Sequence, residues 1–209
     1  ERAEAVLRQM YSGFEGVPVL VTNRRSAEMI KYASNDFLAL KLSYINEIAN
    51  LCELVGADIT DVTKGMGYDD RIGPKFLRAG IGYGGSCFPK DTKALHWLAS
   101  YLDHELKTVK AAIEVNEQQK LKLLKKARRY DPGFEGLTVA VLGLAFKPGT
   151  DDLREAPSLQ VVPVLLEDGA RVVAWDPVAE AHFRQIQDGV EYAATPAEAL
   201  RDADLCLIL

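Results

Sequence analysis

The chain has 209 residues, of which 48% are hydrophobic and 26% charged, and its formal net charge is −5. This is the composition of a soluble globular protein with enough residues for one large domain or two small ones. Charges of both signs are spread along the sequence, which excludes an extended basic face, and no apolar run is long enough to cross a bilayer. We therefore expect neither nucleic acid nor a membrane among its partners.

The three cysteines Cys52, Cys87 and Cys206 are widely spaced and odd in number, which argues against a disulfide framework. They indicate a reducing compartment, and we expect the protein to be cytoplasmic. The histidines are isolated from one another and no CxxC motif occurs. We therefore expect no metal site.

The first part of the chain predicts only short elements. Residues 1–12 show a helical pattern, and residues 17–22 are typical of a brief strand with Pro18 near its start. We expect residues 1–25 to be the tail of a preceding domain, so that the chain begins within a longer protein. At the other end, residues 203–209 form an apolar strand that nothing covers, and this end also looks cut.

A long helix is predicted from Ser26, a plausible N-cap, to Gly56, a plausible C′ residue. Its apolar residues form two stripes, so two faces must be buried. One face can pack within its own domain, and the other suggests a homodimer through residues 26–55. Lys31 and Asn35 lie one turn apart on this helix and are the polar residues of an otherwise apolar region.

The most informative stretch is the glycine loop, residues 80–91, which has four glycines in its first six positions and ends at Cys87 and Asp91. Glycines let a backbone approach a ligand closely. The residues after Cys87 predict a helix, whose N-terminus favours a thiolate, and Asp91 lies one turn on. Arg71, Lys75 and Arg78 precede the loop and suit an anionic ligand such as phosphate. A free cysteine is also often a small buried packing residue, and the residues alone leave both interpretations open.

Beyond a helix at about residues 105–129, the pattern changes to strands alternating with helices. Apolar strands are predicted at 137–146, 171–177 and 203–209, with helices at 158–167 and from Pro196 to Leu200. This alternation is typical of a doubly wound parallel sheet. The fold class is therefore α/β: an all-helical domain over residues 26–130, followed by an incomplete Rossmann-like domain over residues 131–209.

The loop after the first of these strands does not have the GxGxxG spacing of a dinucleotide site. It does lie at the carboxyl end of a strand, where such folds bind ligands, and Lys147 and Arg154 could hold phosphate there. We expect Asp176 to form a turn before Pro177 rather than to contact a ribose.

Several segments together resemble the nucleotide-sugar dehydrogenases, and most of all those that act on UDP-glucose. The matching segments follow the family's order along nearly the whole chain: residues 31–35, 46–49, 71–77, 80–91 and 143–155. Such enzymes have an N-terminal NAD-binding Rossmann domain, a central helical dimerisation domain and a C-terminal UDP-binding domain. The chain resembles the central domain and most of the last one, without the NAD fingerprint.

The resemblance implies NAD as cofactor and a four-electron oxidation of the sugar's C6 hydroxymethyl, from UDP-glucose to UDP-glucuronate. Cys87 corresponds to the nucleophile that captures the aldehyde as a thiohemiacetal, which is oxidised to a thioester and hydrolysed. Asp91 and Lys31 correspond to residues that place water and stabilise the oxyanion. Asn35 corresponds to an oxyanion and substrate contact.

The resemblance also assigns binding residues. Positions that contact sugar and uridine correspond to Phe76, Leu77, Tyr83, Gly84 and Gly85. From the last domain, Phe146 and Lys147 correspond to substrate contacts. Arg71 corresponds to a residue that reaches the partner subunit's site and Arg154 to one near the cofactor, while Arg78 stands where many members have lysine.

Two alternatives stay open at this point. The substrate could be another nucleotide sugar, such as GDP-mannose or a UDP-N-acetylhexosamine. The chain could also be an inactive module that only dimerises and binds a UDP-sugar.

Overall fold

The computed structural model of the protein describes residues 2–209. The helices are α1 (Arg2–Met10), α2 (Arg24–Val55), α3 (Ile59–Gly67), α4 (Phe88–Tyr101), α5 (Lys107–Lys120), α6 (Lys122–Ala127), α7 (Ser158–Glu167), α8 (Glu180–Phe183) and α9 (Pro196–Leu200). The strands are β1 (Thr138–Leu142), β2 (Arg171–Trp175), β3 (Val190–Tyr192) and β4 (Leu205–Ile208). A helical part, α2 to α6, thus precedes a parallel sheet with its own helices, as the sequence predicts.

The prediction of a strand at residues 17–22 is wrong. The helical prediction before it is confirmed as α1, with Glu1 outside the described residues, but residues 17–22 are irregular and exposed. Pro18 has no N–H to donate, and the described sheet offers this segment no pairing strand. Apolar β-branched residues therefore do not suffice for a strand here.

The long helix α2 starts earlier than predicted. Its N-cap is Asn23 rather than Ser26, because Asn23 Oδ1 accepts a hydrogen bond from the Ser26 backbone N–H at 2.9 Å. Its end is confirmed at Gly56, which adopts a left-handed conformation with φ of 74°. The helix packs on α3, α4 and α5, and fully buries Ala39 and Ile45.

The sheet has four parallel strands in the order β3-β2-β1-β4. The sequence misses β3 and α8, because three residues are too few to show a strand pattern and four too few to show a helical one. The predicted third strand is therefore the fourth, and it pairs with β1 on the side opposite to β2. The strand order reverses between β1 and β4, which is the topological switch point where such folds bind ligands.

The first strand is shorter than the apolar run that predicts it, since β1 ends at Leu142. The chain turns away at Gly143, where φ is 95° and a Cβ would lie 2.8 Å from the Leu209 carbonyl oxygen. Val139, Val141 and Leu144 are fully buried against α7 and β2, and they belong to the main hydrophobic core. This tightly packed turn delivers the following loop to the carboxyl edge of the sheet.

Within residues 2–209, none of the helices is both long enough and apolar enough to cross a membrane.

Two glycines allow a paired test of backbone conformation, one at the end of a helix and one inside a helix. A Cβ at Gly56 or at Gly65, which lies inside α3, would meet open space, so packing is the same in both cases. Gly56→Ala should lower the free energy of unfolding by about 1 kcal/mol, because alanine is strained at positive φ. Gly65→Ala should raise it by about 0.5 to 1 kcal/mol, because alanine favours a helix interior.

Urea unfolding of the two variants measures both effects. Equal changes of the same sign would contradict the assigned backbone conformations.

Candidate active site

The centre of the site is the carboxylate of Asp91, in the first turn of α4 and only 1% exposed. Its Oδ2 accepts hydrogen bonds from Lys31 Nζ and Asn35 Nδ2, both at 2.6 Å, and its Oδ1 accepts one from Lys90 Nζ. Burial alone would raise the pKa of Asp91, but these donors outweigh it and hold the pKa below its usual value. The structure thus brings Lys31, Asn35 and Asp91 together around an ionised carboxylate.

Cys87 occupies the N-cap position of α4 on this same turn, without a capping hydrogen bond from its side chain. Its carbonyl accepts the Asp91 backbone N–H at 2.9 Å, and its Sγ lies 3.9 Å from Ser86 Oγ. All three cysteines are free, but Cys52 is buried and Cys206 is partly buried, whereas Cys87 is exposed. Cys87 is therefore the thiol that a ligand in solution can reach, and the packing interpretation suits the other two.

Amide side chains from two helices hold the glycine loop that leads to Cys87. Asn46 Oδ1 accepts the Gly80 N–H at 2.8 Å, and Gln119 Nε2 donates to the Gly80 carbonyl at 2.7 Å. Asn116 binds both backbone groups of Tyr83, at 2.7 and 3.0 Å. The sequence gives no local sign of this role, because each amide bonds a loop residue more than thirty positions away.

The loop then passes directly against the sheet domain. A Cβ on Gly84 would lie 2.5 Å from the Glu155 carbonyl oxygen, and one on Gly85 would lie 2.7 Å from the Phe146 ring. The Gly85 N–H donates to the Arg154 carbonyl at 2.7 Å. Two of the predicted glycines are therefore required for the contact between the two parts of the chain.

A cleft of about 540 Å³ lies between residues 78–82 and the loops that follow β1 and β2. It opens at the carboxyl edge of the sheet, and its volume is in the usual range for small-molecule sites. Arg78, Phe146 and Lys147 line it, and Lys147 Nζ lies 5.3 Å from the Phe146 ring centroid. Three residues predicted to bind substrate therefore share one basic cleft.

Asp176 forms the turn that the sequence predicts and also fixes the β1 loop. Its Oδ1 accepts the N–H groups of Val178 and Ala179, and its Oδ2 accepts those of Leu144 and Ala145. Burial opposes its ionisation, but these four donors keep the pKa of Asp176 below its usual value. Both oxygens of its carboxylate are therefore occupied by backbone N–H groups.

The aromatic residues near the loop form a packed group. The Phe88 ring contacts those of Phe76 and Tyr83 edge to face, with centroids 6.1 and 5.7 Å apart. Leu77 and Tyr83 are buried, and burial raises the pKa of Tyr83 to about 12, so its phenol is neutral. Phe76 stays partly exposed and has a positive φ of 62°.

Two predicted arginines lie outside the cleft. Arg71 forms an exposed ion pair with Asp69 at 2.6 Å, and Arg154 forms one with Asp152 at 2.7 Å. The Arg154 side chain lines a separate depression beside His182. Neither arginine lines the cleft that contains Lys147.

The sequence also missed Asp36, a buried carboxyl that borders an apolar cavity of about 510 Å³ between α2, α4 and α5. Asp36 is 5% exposed, and neither of its oxygens has a hydrogen-bond partner among residues 2–209. Burial and the nearby charge of Asp91 raise its pKa to about 6, against an opposing effect of Lys31. Its position next to Asn35 gave no signal of burial.

No group of three or more histidine, cysteine or acidic side chains that could hold a metal ion occurs in the described part of the chain.

Comparisons with known proteins identify the family. Residues 25–118 match the UDP-glucose/GDP-mannose dehydrogenase family, central domain, and residues 140–209 match its UDP binding domain. The chain belongs to the UDP-glucose/GDP-mannose dehydrogenase family. The resemblance stated from the sequence motifs is thereby confirmed.

Family relatives in Bacillus subtilis (strain 168) are similar over the whole chain. UDP-glucose 6-dehydrogenase YwqF is 50% identical over 210 residues, which are 100% of this chain and 48% of YwqF. UDP-glucose 6-dehydrogenase TuaD is 49% identical over 100% of this chain and 45% of TuaD. The chain thus spans about half the length of these relatives.

Solved structures of family members share the fold. A UDP-glucose dehydrogenase from the archaeon Pyrobaculum islandicum superposes with a TM-score of 0.95 at 41% identity, over 99% of this chain and 48% of that one. A UDP-D-ManNAc dehydrogenase from Pyrococcus horikoshii gives 0.80 at 27% identity, over 100% and 47%. The helical and Rossmann-like fold class is therefore confirmed.

The raised pKa of Asp36 predicts a pH-dependent stability. The folded chain binds more protons than the unfolded chain between about pH 4 and 6, so stability falls as the pH rises through this window. Asp36→Asn removes that loss. Relative to the wild type, its free energy of unfolding should rise by about 2 kcal/mol between about pH 4.5 and pH 8.

Urea unfolding at a series of pH values measures this difference. Asp70→Asn, at an exposed aspartate, is the control and should follow the wild type. A constant difference between Asp36→Asn and the wild type would contradict the assigned pKa.

Proposed function

We propose that this chain supplies the nucleophile and the nucleotide-sugar cleft of an NAD-dependent UDP-glucose 6-dehydrogenase, which oxidises UDP-glucose to UDP-glucuronate. The observation that supports it most is the exposed Cys87 one helical turn before Asp91, whose carboxylate binds Lys31 and Asn35 of α2. The glycine loop carries this thiol at one end and lines the basic cleft with its other end. Relatives named UDP-glucose 6-dehydrogenase favour UDP-glucose as the substrate.

The residues of this chain do not fit the NAD cofactor at their own sheet. The loop at residues 143–149 lacks the dinucleotide glycines, and Asp176, at the position of a ribose contact, has both oxygens occupied by backbone N–H groups. Arg154 is the one cofactor contact that the sequence resemblance assigns, and its side chain is paired with Asp152. We therefore assign hydride acceptance to a part of the protein outside this chain.

The proposed chemistry of this chain is covalent catalysis by Cys87. Its sulfur bonds to the C6 carbonyl carbon of the aldehyde, and the carbonyl oxygen becomes the oxyanion of a thiohemiacetal. The aldehyde itself comes from loss of a first hydride and a proton by the C6 hydroxymethyl, and loss of a second hydride from the thiohemiacetal carbon leaves a thioester, both hydrides going to the acceptor assigned outside this chain. Water then attacks the carbon, the carbon–sulfur bond breaks, and the products are the carboxylate and the restored thiol.

Lys31 and Asn35 stabilise the oxyanion in this proposal, and Asp91 holds them in place. The Lys31 side chain is 58% exposed and has further N–H groups free to turn towards a substrate oxygen. Asp91 is buried and already accepts three hydrogen bonds, so it acts by fixing these two donors in place.

The cleft is proposed to bind the UDP moiety. Lys147 and Arg78 give it two positive side chains, which match the two negative phosphates. The sugar would then extend along the glycine loop towards Cys87.

We also propose a homodimer through α2. Ile30, Phe37, Tyr44 and Leu51 recur every seven residues on one face, and each is about half exposed. A second copy of this apolar stripe would cover it, as facing helices do in a helical bundle.

Two other functions remain as outcomes of the tests. A different nucleotide sugar is compatible with the similarity to the UDP-D-ManNAc dehydrogenase. The chain could also bind a UDP-sugar without acting on it.

Isothermal titration of the chain with UDP-glucose, UDP-N-acetylglucosamine and GDP-mannose tests the substrate. We expect selective binding of UDP-glucose, and a loss of about ten-fold or more in affinity for Lys147→Ala, because a charged hydrogen bond to phosphate is removed. Lys125→Ala, at an exposed lysine of α6, is the matched control and should bind as the wild type does.

Preference for another sugar would overturn the assignment to UDP-glucose. Binding of no nucleotide sugar by a folded chain would overturn the proposal that this chain supplies the nucleotide-sugar cleft.

The dimer can be tested by sedimentation equilibrium. The wild type should have twice the 23.0 kDa mass of the chain. The double variant Phe37→Glu/Tyr44→Glu should be monomeric, because two charges in an apolar interface are strongly unfavourable. Tyr130→Glu, at a residue that is 92% exposed, is the control and should stay dimeric. A monomeric wild type would refute the dimer.

A further inference from the structure

Glu155 lies in the loop between β1 and α7 and connects the sheet domain to two helices of the other domain. Its Oε1 accepts a hydrogen bond from Lys93 Nζ on α4 at 2.7 Å, and its Oε2 lies 3.4 Å from Lys120 Nζ on α5. Their hydrogen bonds and charges hold the pKa of Glu155 below its usual value, against the opposing effect of burial. The carboxylate is therefore ionised and shared between the two lysines.

Lys120 depends on this carboxylate. Its side chain is fully buried, and its ammonium has two acidic partners, Glu117 at 3.0 Å and Glu155 at 3.4 Å. A buried charge needs such compensation, and the loss of one partner is much more costly than the loss of a surface ion pair. The contact with Glu155 is thus more than an incidental surface pair.

The backbone of the same residue contacts the glycine loop. Glu155 has a φ of 55°, a left-handed conformation that a residue with a side chain rarely adopts. Its carbonyl oxygen lies 2.5 Å from the position of a Cβ on Gly84, and the preceding carbonyl, of Arg154, accepts the Gly85 N–H. The strained residue therefore lies against the two glycines that come shortly before Cys87.

We propose that Glu155 is a positioning residue, which fixes the sheet domain against the glycine loop through Lys93 and Lys120 and thereby sets the place of Cys87 relative to the cleft. Lys93 lies within about two turns of Cys87 on the same helix, so the ion pair acts on the element that carries the thiol. Lys120 lies beneath the loop, with its Cγ 3.5 Å from the position of a Cβ on Gly82. The effect of Glu155 on catalysis rests on the proposed function, whereas the coupling between Glu155 and the glycine loop does not.

Hydrogen exchange and ligand binding on the 209-residue chain test this coupling. Glu155→Gln keeps the shape of the side chain but removes its charge. We expect the Gly85 amide to exchange about five-fold faster or more, because the loop opens locally more often. UDP-glucose should bind about five-fold more weakly, since Arg78 and Lys147 line opposite sides of the cleft. Glu155→Asp keeps the carboxylate and should restore most of both effects.

Glu191→Gln is the matched control. Glu191 lies on the edge strand β3 of the same domain and forms a two-point ion pair with Arg171, at 2.6 and 2.8 Å. This variant should leave both the Gly85 amide and the affinity for UDP-glucose unchanged.

The outcomes separate this inference from the proposed function. Wild-type exchange at Gly85 in Glu155→Gln, or an increase spread evenly over the chain, would overturn the positioning role. The positioning role would also be overturned if Glu155→Asp behaved like Glu155→Gln in both measurements. If the wild type fails to bind UDP-glucose while the Gly85 amide responds as expected, the coupling stands and the proposed function fails.

Discussion

The close approach of the glycine loop to the sheet domain determines the arrangement of the whole site. Gly84 and Gly85 have no side chain where the Glu155 carbonyl and the Phe146 ring lie, so the two parts of the chain meet almost backbone to backbone. This contact holds the glycine loop, which lines the cleft with residues 80–82 and leads to the exposed Cys87, against the sheet domain. A side chain at either glycine would push the domains apart, and the cleft and the thiol would separate.

Asp91 and Asp36 show how partners, rather than burial alone, decide the charge of a carboxyl group. Both are at least nine-tenths buried and both face Lys31. Asp91 accepts three hydrogen bonds and is stabilised as an anion, whereas Asp36 accepts none within residues 2–209 and its pKa rises. Part of that rise comes from the charge of Asp91, so the ordered anion makes its neighbour harder to ionise.

The sequence predicted most of the longer elements well, but the single helix predicted at about residues 105–129 is wrong, because the chain forms two helices, α5 and α6, that are interrupted at Leu121. Helix α2, the helix that follows Cys87 and strand β2 have clear periods and end at glycine, proline or a cap residue. It failed for β3 and for residues 17–22, because a short strand depends on its pairing partners rather than on its own residues. Within the site, the sequence identified the residues of the motifs but not the residues that hold those motifs in place. Asn116 and Glu155 act through contacts more than thirty residues away, which no local pattern records.

The amide side chains that hold the glycine loop also constrain how the protein folds. The loop takes its hydrogen bonds from Asn46, Asn116 and Gln119, at separations of 34, 33 and 39 residues. A glycine-rich segment has a large chain entropy to lose and no side chains with which to offset it, so it cannot take this shape by itself. Its order must come after α2 and α5 have paired, and its docking after the sheet has formed. A newly made or partly unfolded chain would therefore lack the site, and Cys87 would have no ordered glycine loop or cleft beside it until the last tertiary contacts formed.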